Sequence, residues 1–166
     1  MVRAPTILDH QLSINADAFT PIGPDLVPTG EIRDVADTPM DFLNQTAIGE
    51  RIEDAYDQLG FAGGYDHNFV LKNFNGLLHP VAKVYESTSG RTLQVLTTQP
   101  GMQFYSGNFL DGSLKGKRGA VYVKRAGFCV EPQHFPDSPN HPHFPTTVLE
   151  PGDEYKQTTV FRFGVE

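Results

Sequence analysis

Residues 81–98 read VAKVYESTSGRTLQVLTT, and the pattern of this stretch sets the fold class. Two runs rich in Val, Leu, Thr and Tyr, residues 81–86 and 91–98, flank Ser87-Thr88-Ser89-Gly90, a loop of small residues suited to a β-hairpin. Towards the N-terminus, Leu8, His10, Leu12, Ile14 and Ala16 alternate with Asp9, Gln11, Ser13, Asn15 and Asp17. That period of two predicts a strand with one wet face. Towards the C-terminus, Tyr155, Gln157, Thr159, Phe161, Phe163 and Val165 fall on one face and Lys156, Thr158 and Arg162 on the other, which predicts a terminal strand. The 16 glycines and 13 prolines are spread along the chain, so turns separate short segments throughout. One segment departs from this pattern. In IGERIEDAYDQLG, Ile48, Ile52, Tyr56 and Leu59 recur at three- and four-residue intervals before Gly60, which predicts one short helix capped by that glycine. The expectation is an all-β, antiparallel sandwich or partly closed β structure, with irregular loops over residues 17–42 and 104–118.

The length of 166 residues suits one domain with a real core, so residues 1–166 are read as a single domain. A net charge of −7 disfavours nucleic acid, whose binding depends on many Lys and Arg contacts to phosphate. The group Lys115, Lys117, Arg118, Lys124 and Arg125 lies among glycines and reads as a solvated turn. No run of apolar residues approaches the roughly 18 to 20 that a membrane helix needs. Cys129 is the only cysteine, so no internal disulfide can form. With no leader-like segment at the start, the chain reads as cytoplasmic.

Candidates for chemistry narrow quickly. His134, Asp137, His141 and His143 are metal-ligand types within ten residues, but Pro136, Pro139 and Pro142 interrupt them and helical HxxxH spacing is missing. They read as a polar loop held by proline. GSLKGKRG lacks the spacing and the Ser or Thr of a phosphate-binding loop. Cys129, between Phe128 and Val130, reads as a buried strand residue. Two carboxylates remain. Asp66 follows a Gly pair before an expected strand, and Glu131 ends the apolar stretch GFCV ahead of Pro132; such backbones hold a side chain stiffly, as a positioned base requires. Composition alone also allows both to be ordinary solvated acids.

Four stretches, ILDHQLSINADAFTPIGPDLVPTGEI, GGYDHNFVL, TTQPGMQFYSGNFLDG and GFCVEPQHFPDSPNHPHFPTTVLEPGDEY, resemble the aldose 1-epimerase family, the galactose mutarotases, and occur in that family's order. The resemblance implies a large antiparallel β-sandwich with an open sugar-binding face. It implies interconversion of the α and β anomers of a free hexose such as galactose or glucose, with neither cofactor nor metal. Glu131 in FCVEPQ matches the family's general base, Asp66 in YDHNF an aspartate that bonds sugar hydroxyls, and Gln103 in PGMQFY a glutamine of the sugar pocket. The neighbouring rings Phe104 and Tyr105 read as core residues.

The family's general acid is a histidine in a motif resembling N-H-S-Y-F-N-L, placed before the segment that ILDHQLSINA matches. This chain has no such motif, nor the upstream histidine and arginine of the sugar site, and none of its six histidines stands in a matching context. The expectation is therefore the C-terminal half of a mutarotase domain, N-terminally truncated, with a missing segment or a partner needed to complete the sandwich. A catalytically inactive carbohydrate-binding relative is the alternative. A glycoside hydrolase built on Asp66 and Glu131 is also chemically conceivable, as is a sugar-phosphate epimerase, although the Lys115 to Arg118 group is a weak basis for a phosphate site.

Overall fold

The computed structural model describes residues 6–166. Two five-stranded antiparallel sheets face one another. The first has the order β10-β7-β6-β1-β4, from β1 (Gln11–Ile14), β4 (Thr46–Ala47), β6 (His79–Glu86), β7 (Arg91–Thr97) and β10 (Thr159–Val165). The second has the order β3-β2-β5-β8-β9, from β2 (Ala16–Thr20), β3 (Arg33–Asp34), β5 (Asp66–Leu71), β8 (Gly101–Tyr105) and β9 (Cys129–Gln133). Together with one short helix this is the expected all-β sandwich.

The β6–β7 hairpin forms as its sequence predicts, with Glu86 opposite Arg91. Gly90 takes a left-handed φ of 71°. The Glu86 carboxylate accepts hydrogen bonds from Ser89 Oγ and from the amides of Thr88 and Ser89. Those bonds, with the Ser89 side chain foremost, push the Glu86 pKa down to about 2.

Three expected elements are changed. The single strand expected around residues 8–17 is two strands in different sheets. At Asn15 the amide bonds Val81 O beside the first sheet, and the carbonyl accepts from Lys72 N beside the second. Alternation survives this crossing, because Leu12, Ile14 and Ala16 stay buried while Asn15 and Asp17 face water.

The helix covers only Asp57–Ala62, and its left-handed cap is Gly63 rather than Gly60. Ile48 and Ile52 are buried as their spacing suggests, but through turns. The amides of Ile48 and Gly49 are drawn to His10 O and Leu8 O, and this pairing replaces the helical ladder.

The terminal strand begins at Thr159, four residues after Tyr155. Its pairing puts Phe163 opposite Leu93, which lies opposite Val84, which lies opposite Leu12. Along that row exposure rises from 0% at Leu12 and 3% at Val84 to 77% at Phe163, so the inner face opens to solvent at β10.

Phe42 is the hub of the core, in edge-on contact with Tyr65, Phe69 and Phe104 at centroid distances of 5.1, 6.2 and 5.8 Å. The basic group is split. Lys115, Lys117, Arg118 and Lys124 are exposed, whereas Arg125 is 5% exposed. Its guanidinium bonds Ser106 Oγ, Asn108 Oδ1 and Gly63 O and pairs with Glu53. Buried guanidinium needs such partners, and the loop carbonyls and amides of this corner supply them.

Candidate functional site

In a strand, alternate residues face opposite sides of the sheet. In β5, His67, Phe69 and Leu71 turn inward, so Asp66 and Asn68 turn outward. In β8, Met102 and Phe104 turn inward and Gln103 and Tyr105 outward. Register then assembles the outer face of the second sheet. Gln103 lies opposite both Asn68 and Glu131, while Tyr105 lies opposite both Asp66 and Cys129. The three residues singled out from the sequence, Asp66, Gln103 and Glu131, thus share one face on three neighbouring strands.

The start of β5 is fixed by its neighbours. Tyr65 N donates to Ser106 Oγ, and Tyr65 O accepts from Ser106 N and Asn108 Nδ2. Before it, Gly64 has φ 141°, and a Cβ there would lie 2.3 Å from the Arg125 guanidinium, so the second glycine of the pair is required. Asp66 is held from the side by Gln103, whose Nε2 donates to Oδ1 at 2.8 Å. Partial burial raises the Asp66 pKa, opposed by that hydrogen bond. Glu131 is exposed on the edge strand β9, where the following Pro132 is tolerated.

Two residues sit on the other side of the sheet from their expected place. Cys129 is exposed on the outer face. Burial raises its thiol pKa, as do the charges of Glu131 and Asp66 and a hydrogen bond to Glu131. Tyr105 also faces outward, stacked on Phe109 at 5.9 Å with an interplanar angle of 22°, and Phe109 N donates to its hydroxyl at 2.9 Å. Phe104 is buried in the core, as expected. Adjacent strand residues cannot both point inward, which separates Tyr105 from Phe104 and Cys129 from Phe128 and Val130.

Beside Asp66 and Gln103 a cavity of about 90 Å³ is floored by Thr20 and Asn68 and walled by Ile22, Leu26, Pro28 and Pro136. The proline and histidine loop after β9 contributes Pro136 to that wall. Phe135 and Phe144 pack edge-on at 5.2 Å, and His143 Nε2 meets Gly30 O at 2.7 Å. His141 pairs with Asp137 at 3.2 Å and rests against Gly30, where a Cβ would come within 2.6 Å of its ring. Among the described residues no group of three or more His, Cys, Asp or Glu side chains is placed to hold a metal ion. No helix among them is long and apolar enough to cross a membrane. Thr20 and Asn68 were missed by reading the sequence. The signal for Asn68 was present, since it lies two residues from Asp66 on the same strand; Thr20 required the register of β2.

The family model described as Aldose 1-epimerase matches residues 2–162. The chain is 48% identical to a galactose mutarotase of Homo sapiens over 162 residues, which are 98% of this chain and 46% of that protein. It is 36% identical to an aldose 1-epimerase of Escherichia coli K12 over 163 residues, 96% of this chain and 46% of that one. Among solved structures, an aldose epimerase homologue from C. elegans superposes with a TM-score of 0.86 at 32% identity, over 98% of this chain and 47% of that one. A galactose 1-epimerase from Lactobacillus acidophilus, at 24% identity and TM-score 0.71, shares the fold over 97% of this chain and 45% of its own. The chain spans about half the length of the curated relatives it matches.

Proposed function

Because the chain belongs to the aldose 1-epimerase family, we propose that it carries the base-bearing part of a site that interconverts the α and β anomers of a free hexose such as galactose or glucose. The observation that carries this reading is the placement of Asp66, Gln103 and Glu131 on one outer face at neighbouring strand positions, with Asp66 and Gln103 lining a cavity. In this reading Glu131 takes the proton from the C1 hydroxyl. As the C1–O5 bond breaks, the ring oxygen gains a proton, leaving an open-chain aldehyde. Rotation about C1–C2 and re-closure give the other anomer. Asp66 and Gln103 hold sugar hydroxyls, with Asp66 accepting and the Gln103 amide offering its remaining polar positions. Glu131 is exposed and so reaches a substrate lying on the face.

No histidine lines the cavity beside Asp66 and Gln103. In this reading the proton donor for the ring oxygen is a group outside that cavity. A donor of that kind is worth about 10²- to 10⁴-fold in rate. The same observation favours the second reading, a sugar-binding relative without catalysis, if the donor is never supplied.

Polarimetry of freshly dissolved α-galactose, paired with calorimetric titration, tests both. Accelerated mutarotation that Glu131→Gln slows by about 10²- to 10⁴-fold supports Glu131 as the base. Saturable binding with no acceleration, unchanged by Glu131→Gln, favours the binding-only reading. Absence of both binding and acceleration overturns the two together.

A further inference from the structure

Cross-strand register extends the row of polar side chains beyond the three residues of the proposed site. Thr20 lies opposite Asn68, Asn68 opposite Gln103, and Gln103 opposite Glu131, one residue from each of β2, β5, β8 and β9. Thr20 and Asn68 are 1% and 2% exposed. Thr20 Oγ1, both amide atoms of Asn68, and Gln103 Oε1 have no hydrogen-bond partner among the described residues. The buried amide of Gln58, by contrast, bonds both the N and the O of Ile22. Leaving a buried amide unpaired is costly, so a cluster of such atoms around one cavity points to a polar occupant.

The chemistry of that occupant follows from the lining. Gln103 Nε2 is committed to the Asp66 carboxylate, which can only accept, and this fixes Oε1 as a free acceptor. Asn68 offers one amino and one carbonyl group, and Thr20 a hydroxyl that both donates and accepts. No Lys or Arg lines the cavity and Asp66 does, so an anionic group is disfavoured and a neutral hydroxyl suits every partner. Ile22, Leu26, Pro28 and Pro136 supply the apolar wall that a sugar's C–H face requires. Gly101 makes room for the amide, since a Cβ there would lie 2.4 Å from Asn68 Oδ1 and 2.9 Å from Phe135 Cδ1.

We propose that Thr20 and Asn68, with the free carbonyl of Gln103, form a subsite that grips a hydroxyl on the side of the hexose ring remote from C1. The assignment rests on the reading of Glu131 as the base at C1. Asn68 is two strands from Glu131, a backbone separation of about 10 Å, which places it at the C4 and C6 end of a ring whose C1 meets that carboxylate. The subsite thereby selects neutral hexoses over hexose phosphates at this end.

Calorimetric titration with galactose and its 2-, 4- and 6-deoxy analogues tests the subsite in the unsubstituted protein, Asn68→Ala and Thr20→Val. Asn68→Ala is expected to weaken galactose about 10- to 100-fold. It should also erase the penalty for removing either the 4- or the 6-hydroxyl while leaving the 2-deoxy penalty intact. Thr20→Val keeps the side-chain shape and should show the same pairing with a loss of about 3- to 10-fold, which covers a folding failure of Asn68→Ala. A common factor for all four sugars, or no change, overturns the subsite and leaves the proposed function standing. Failure of the unsubstituted protein to bind any of the four overturns both, whereas tighter binding of galactose 6-phosphate than of galactose overturns the subsite alone.

Discussion

Cys129 and Glu131 stand two residues apart on β9, so both side chains face outward, and the carboxylate acts directly on the thiol. Burial is the first cause of the raised thiol pKa, and the Glu131 and Asp66 charges add to it. Removing a negative charge stabilises the thiolate. Glu131→Gln is therefore expected to speed alkylation of Cys129 by iodoacetamide at about pH 8, where the thiol is mostly protonated, as read by mass spectrometry. An unchanged rate would separate the two groups. Asp66 gives a second residue-scale test. Its folded pKa is raised, so its charge costs the fold stability above that pKa, and the cost fades as pH falls below the ordinary carboxylate range. Asp66→Asn should raise Tm at neutral pH by roughly 1 to 3 °C while weakening sugar binding. The Tm gain should vanish at about pH 3.

At the scale of elements, unequal burial of two phenylalanines predicts unequal costs for equal substitutions. Phe42, at 1% exposure and touching three rings, should lose about 3 to 5 kcal/mol on truncation to Ala. Phe163, at 77% exposure on β10, should lose no more than about 0.5 kcal/mol in this chain. We expect polypeptide of the kind that forms the remainder of the longer relatives to cover that face. In a longer protein carrying it, urea titration should show the Phe163→Ala cost rising towards that of Phe42→Ala. The helix shows why an element's type and its bounds differ in legibility. Ile48, Ile52 and Leu59 are buried at the intervals the sequence displays, yet hydrogen bonds from Ile48 and Gly49 to His10 and Leu8, just ahead of β1, claim the first half of the expected helix.

Across the molecule, His67 couples the site's strand to acid stability. It is fully buried beneath Asp66, edge-on to Phe19 at 5.8 Å, and burial lowers its pKa to about 4. A histidine whose folded pKa is depressed contributes stability that is complete above its unfolded value of about 6.5 and is lost as pH falls through the folded value. Denaturant midpoints should decline between about pH 6.5 and 4, and His67→Phe should flatten that decline. Alternation along single strands and four motif stretches were enough to establish the β architecture, the family, and Asp66, Gln103 and Glu131 as the residues to examine, because a period of two and a motif are local properties of the chain. The grouping of those residues on one face, the addition of Thr20 and Asn68 and the outward turn of Cys129 and Tyr105 came from pairing between strands distant in sequence, and the burial of Arg125 from its loop partners Gly63, Ser106 and Asn108. Register sets which side chains become neighbours, and a one-residue shift would move each to the opposite face.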